Sequence, residues 1–136
     1  MERRKKGSYK TKQHKRVTKT IRIISREIPL TETDRITYVY ARDKTTDAIR
    51  EVTNVSYETS IDKGWHTILR YDSAHGYLHQ HTHFSLTEQK EFISIENVSQ
   101  AGSHQEWLTF AIADIKTNFS SYRLAFFHRS DLDETE

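Results

Sequence analysis

The chain has 136 residues, of which 35% are hydrophobic and 29% charged, with four glycines, one proline and no cysteine; that is enough for one domain with a modest core and too little for two. Without cysteine there is neither a disulfide nor a thiolate metal site. No apolar run approaches the ~18 residues of a membrane helix, and the positive start lacks the apolar core of a secretory signal, so a cytoplasmic protein without a membrane partner is expected.

The net charge of +2 conceals a strong asymmetry: Met1 to Arg22 holds ten basic residues against one acid, Glu2, for +9, and the remainder holds eleven basic and eighteen acidic residues, for −7. The first sixteen residues cannot bury apolar surface, and residues 1–19 read as a disordered basic tail ahead of a single domain over 20–128. The tail could stay solvated or dock on the acidic body. It could instead neutralise nucleic-acid phosphates through Arg3, Arg4, Lys5, Lys6, Lys10, Lys12, Lys15 and Arg16, with Tyr9 available to stack on a base. A remnant of expression is the third reading. Phosphate contacts would carry no base information.

After the tail the hydrophobic pattern switches to period two. Thr20–Ile28, Asp34–Arg42 and Asp47–Ser60 are rich in Ile, Val, Thr and Tyr and read as strands, with Pro29 ending the first and Asp43-Lys44-Thr45-Thr46 turning between the next two. Gly64 opens WHTILRY and Gly76 opens YLHQHTHF, two runs that suggest a hairpin. The short connections favour an antiparallel meander of about five strands. Ser103-His104-Gln105-Glu106 is a capping-box pattern that predicts a helix from Ser103 onward. Leu108, Ala111, Ile112, Ile115 and Phe119 form its apolar stripe, suited to covering the sheet, while Trp107 and Phe110 read as core or rim aromatics. Tyr122–His128 fits either a last strand or more helix, and 129–136 reads as an acidic, frayed end. The expected class is α+β, a mostly antiparallel sheet covered on one face by a C-terminal helix.

Four of the eight histidines, His75, His79, His81 and His83, lie within nine positions of RYDSAHGYLHQHTHF. On a strand, His79, His81 and His83 project from one face at ~7 Å intervals. A four-residue loop Ser73-Ala74-His75-Gly76 would set Arg70 opposite His79, Ile68 opposite His81 and His66 opposite His83. One face would then gather His66, Ile68, Arg70, Tyr77 and the histidine row, and the other Trp65, Thr67, Leu69, Tyr71, Leu78, Gln80, Thr82 and Phe84 as the core side. Imidazole titrates near neutrality, binds metals and donates to phosphate when protonated.

The order of elements around Arg70-Tyr71-Asp72, followed by Ala74-His75, a histidine-rich strand and a C-terminal helix, resembles the TumE family of toxin-antitoxin proteins over roughly residues 34–119. The resemblance implies an RNA-directed toxin partnered by a minimal nucleotidyltransferase antitoxin.

Three uses of the histidine face follow from its chemistry. Metal-independent RNA cleavage needs a base, an acid and a cation near the phosphate. Arg70 would bind the phosphate, His79 and His81 would transfer protons, and His66 or His83 would substitute for them. His75, in the turn, could reach a phosphate or simply tolerate the turn geometry. A metal site is the second use: His79, His81 and His83 would supply ligands that His66 and Asp72 complete if the hairpin closes as drawn, although the adjacent arginine opposes a resident cation. Plain nucleic-acid or acidic-partner binding is the third, and ordinary exposed strand histidines are the alternative to all three. Asp72 would orient a histidine or, more commonly at a turn, accept local backbone N–H groups. The leading expectation needs no cofactor; its partners are RNA or another nucleic acid, the antitoxin, and a second copy of the chain if the protein is a homodimer.

Overall fold

The computed structural model describes residues 20–82, 95–99 and 102–130. Among these, six strands form one antiparallel sheet in chain order: β1 (Ile21–Pro29), β2 (Asp34–Asp43), β3 (Ile49–Ile61), β4 (Gly64–Asp72), β5 (Leu78–His81) and β6 (Ile95–Ser99). The α-helix α1 (His104–Arg129) packs on β3 and β4. The fold is therefore α+β, a meander with a helix on one face. The sixth strand was not anticipated, and the tail residues, His83 and Phe84, and the terminal residues 131–136 lie outside the described residues. Among those described, no helix is long and apolar enough to cross a membrane.

Turn chemistry sets the strand boundaries. Asp43 Oδ1 accepts the backbone N–H groups of Thr45 (2.7 Å) and Thr46 (3.0 Å), which closes the β2–β3 connection. Those two N–H donors hold the Asp43 carboxyl below its ordinary range. Asp62 and Lys63 both have positive φ, 51° and 68°, and join β3 to β4 by a two-residue turn of the type whose twist matches that of paired strands.

The capping box is present at the start of α1. The Ser103 hydroxyl accepts the Glu106 N–H at 3.2 Å while the Glu106 carboxylate accepts the Ser103 N–H at 2.8 Å. Gly102 has φ +98°, and a Cβ there would sit 2.8 Å from Glu106 Oε1, so glycine is what lets the box close. Leu108, Ala111 and Ile115 are buried against Val55, Tyr57, Leu69 and Tyr71, with Ile112 and Phe119 packed at the margin. Trp107 joins this core. Phe110 stays at the rim, edge-on to Tyr71 with ring centroids 6.2 Å apart. Tyr122–His128 is helix, because Phe126 and Phe127, both 1% exposed, continue the buried surface of α1. Arg129 ends the helix and the buried Ser130 caps it, so the folded domain runs slightly past residue 128.

One irregularity overturns the expected division of faces. Tyr57 pairs with Leu69 but Glu58 pairs with Thr67, which leaves Ile68 as the extra residue of a bulge in β4. A bulge shifts the alternation by one position. Ile68 and Leu69 are accordingly both buried, at 1% exposure, although Ile68 was expected on the polar face. Trp65, expected in the core, is 41% exposed on the face away from α1, where the Arg35 guanidinium lies 3.9 Å from its ring centroid. Thr67 moves to that outer face as well, opposite Glu58, whereas His66 pairs with the buried Thr59 on the helix side.

Candidate functional site

The hairpin of β4 and β5 closes in a register two residues away from the expected one. Arg70 stands opposite His81, Tyr71 opposite Gln80 and Asp72 opposite His79. The loop accordingly runs over residues 73–77, with a 3-10 turn at Ala74–Gly76 that contains His75. The His75 side chain lies outside what the structure describes. Two interactions lengthen the loop: the Ser73 N–H donates to the Val52 carbonyl at 2.9 Å, and the Ser73 hydroxyl accepts the Val52 N–H at 2.9 Å. Ser73 is thereby buried against β3 rather than sitting in a tight turn.

A shift of two preserves the faces at this end of the hairpin. Tyr71 and Gln80 look toward α1, and Arg70, Asp72, His79 and His81 share the opposite face. On the helix side the Tyr71 hydroxyl donates to Asp114 Oδ2 at 2.5 Å and accepts from Gln80 Nε2 at 2.8 Å. The Tyr122 hydroxyl donates to the same carboxylate oxygen at 2.7 Å, and Asn118 donates to Asp114 Oδ1 at 2.7 Å. Burial, followed by the neighbouring Asp114, pushes the Tyr71 phenol far above its ordinary value and that of Tyr122 up to about 12, so both remain neutral donors. This network fixes the back of the hairpin that carries the histidines on its front.

On the front, Asp72 is the hub. Its Oδ2 lies 3.0 Å from His81 Nε2 and 3.9 Å from the Arg70 guanidinium, and its Oδ1 lies 3.6 Å from His79 Nδ1. Oδ1 also accepts the Ala74 N–H at 3.0 Å, so Asp72 performs the turn role and the histidine-orienting role together. The Tyr77 ring packs on His79 with centroids 4.1 Å apart. On β3, Ser56 stands opposite Arg70 and is tied to Asn54 by a 2.9 Å hydrogen bond, giving the cluster a polar neighbour.

The histidines are not the exposed row expected of them. Side-chain exposure falls from 35% at Arg70 through 16% at Asp72 and 11% at His81 to 3% at His79. The approachable part is the guanidinium with the edge of His81 behind it. His66 is four residues from Arg70 along β4 and on the other face, so it is not a substitute proton-transfer group, and the metal arrangement that needed His66 beside Asp72 does not form. Among the described residues no group of three or more His, Asp or Glu side chains is arranged to hold a metal ion. His83, the third member of the row, and the basic residues from Arg3 to Arg16 lie outside the described residues.

The prominence of Asp72 was hidden in the sequence because an aspartate ahead of a loop is usually spent on backbone donors. The signal available was its position two residues after Arg70, which places both on one face of a strand.

Residues 25–132 match a domain of unknown function, DUF7718. No curated protein and no solved structure matches the chain.

Proposed function

Starting from a chain that belongs to the DUF7718 family, we propose that the Asp72-centred cluster is a metal-independent acid/base site directed at RNA phosphodiesters. The observation that carries this reading is the carboxylate of Asp72 reaching two imidazoles and one guanidinium, with Arg70 at the open end. Arg70 binds the phosphate and stabilises the charge that develops on it. His81, oriented by the 3.0 Å contact of its Nε2 with Asp72, takes the proton of the 2′-hydroxyl. The 2′ oxygen then attacks phosphorus, the bond to the 5′ oxygen breaks, and the departing oxygen takes a proton from water. The products are a 2′,3′-cyclic phosphate and a free 5′-hydroxyl. His79, closed off beneath Tyr77, positions Asp72 and does not touch substrate.

The cellular role that goes with this chemistry is taken from the TumE resemblance of RYDSAHGYLHQHTHF: a toxin restrained by a nucleotidyltransferase antitoxin. A second reading, phosphate binding without turnover, is favoured by the burial of His79 and His81, at 2% and 9% exposure. In that reading the imidazoles act as struts for Arg70.

Labelled single-stranded RNA incubated with the protein in EDTA separates these readings. Cleavage to cyclic-phosphate ends is the expected result, with His81→Gln slowing it by ~10²–10⁴ and Arg70→Lys weakening it through loss of the bidentate fork. Retention without cleavage would favour the second reading, and a requirement for added metal would restore a metal-dependent site. Wild-type rates in both variants, with melting curves confirming that they fold, would sink the proposal.

A further inference from the structure

A second surface lies on the other face of the sheet, at its opposite edge. β1 and β2 pair with Arg22 opposite Arg42, Ile24 opposite Tyr40, Arg26 opposite Tyr38, and Ile28 opposite the buried Ile36. These eight side chains share the helix-side face, but α1 packs on β3 and β4 and leaves the outer part of this strip uncovered. The Tyr38 and Tyr40 rings are nearly parallel, 11° apart with centroids 6.0 Å from each other, and are partly buried against the core. Arginines flank them on both sides. The Arg42 guanidinium lies 5.4 Å from the Tyr40 ring and donates to the Asp47 carbonyl at 2.7 Å, and Arg22 reaches Asp47 Oδ1 at 3.4 Å. Arg26, exposed on the edge strand, donates to the Ser25 carbonyl at 3.0 Å.

We propose that this strip is a binding platform for single-stranded nucleic acid, with bases stacking on Tyr38 and Tyr40 and the backbone phosphates lying along Arg22, Arg26 and Arg42. Parallel aromatic rings between guanidinium groups offer what an unpaired strand presents, alternating π faces and negative charges. Among the described residues of the strip, three arginines stand against the acid Asp47, which gives it the complementary sign. Bases in a duplex are stacked on one another and have no free face for the tyrosines, so the platform selects single strands. It does not depend on the Asp72 cluster, which faces the other way.

The test is fluorescence anisotropy of a labelled oligouridylate with the full chain, at salt high enough to suppress phosphate contacts so that stacking is what is read. Tyr38→Leu/Tyr40→Leu, which keeps apolar bulk on β2, is expected to weaken binding at least tenfold, because both aromatic stacking faces are lost. Tyr38→Phe/Tyr40→Phe is expected to bind like the wild type. Arg26→Gln, a surface change that leaves the core intact, should lower the log affinity against log salt slope by about 0.7 at low salt. Wild-type affinity in the double Leu variant would overturn the proposal, as would equal competition by a duplex of the same length. It would also be overturned by a homodimer in sedimentation that shields Tyr38 and does not bind the oligonucleotide. RNA cleavage at the Asp72 cluster is scored separately on a dinucleotide too short to span both surfaces, so loss of one activity does not imply loss of the other.

Discussion

Asp34 is 5% exposed and accepts hydrogen bonds from four hydroxyls: Tyr57 and Thr31 at 2.6 Å, Thr59 at 2.9 Å and Thr33 at 3.1 Å. Arg123 of the helix stands 3.6 Å away. Burial raises the carboxyl's pKa, but the four donors outweigh it and hold the group below its ordinary 3.8. A depressed folded-state value means that the unfolded chain binds the proton more tightly; the stabilisation is present above the unfolded pKa and is lost as pH falls through the folded one. Urea titrations of wild type and Asp34→Asn should differ by about 2–4 kcal/mol at neutral pH. The difference should shrink below pH ~4 as wild-type Asp34 takes up its proton. A constant difference down to pH ~2 would show that the carboxylate charge is not what the hydroxyls hold.

The elements show where local rules decide and where they are overridden. Ser103, Glu106 and Gly102 act within one turn of chain, so the helix start needs nothing from the rest of the molecule. At the β3–β4 turn, by contrast, Lys63 occupies a conformation with φ 68° that suits glycine or asparagine far better. Lys63→Gly is expected to raise stability by about 0.5–1 kcal/mol, read as a higher melting temperature, because relief from the left-handed conformation outweighs the added chain entropy. A lower melting temperature would mean that the lysine makes a compensating contact there. The β4 bulge is the opposite case. Nothing in GWHTILRYD marks Ile68 as the extra residue, and strict alternation through the strand gave the wrong side for Trp65, His66, Thr67 and Ile68.

At the scale of the molecule, the sheet keeps its two candidate surfaces apart. The Asp72 cluster sits at β4 and β5 on the face away from the helix, and the tyrosine–arginine strip sits at β1 and β2 on the helix side. The basic tail is a third, sequence-level charge. Removing residues 1–19 is expected to leave the thermal transition of the domain unchanged and to flatten the salt dependence of RNA affinity, since each lost phosphate contact removes ~0.7 from the slope for a single strand. An unaltered slope would exclude the tail from binding, and a large fall in melting temperature would mean that it stabilises the fold.

Period-two patterning, turn residues and the capping box determined five strands, the helix and their order, because these signals act between residues near in sequence. The shared face of the histidine-rich hairpin was legible for the same reason: Arg70, His79 and His81 had to lie on one side once both segments were strands. What the tertiary structure decided was everything that depends on a partner distant in the chain. Burial of Ser73 against Val52 moved the register by two and brought His81, not His79, opposite Arg70. The bulge at Ile68 turned His66 away. Tyr71 bound to Asp114, 43 residues on, fixed which side of the hairpin faces the helix. A sequence pattern specifies which side chains alternate, but a single inserted residue or a loop anchored elsewhere changes which of them meet, because pairing across a sheet depends on register and not on spacing along one strand.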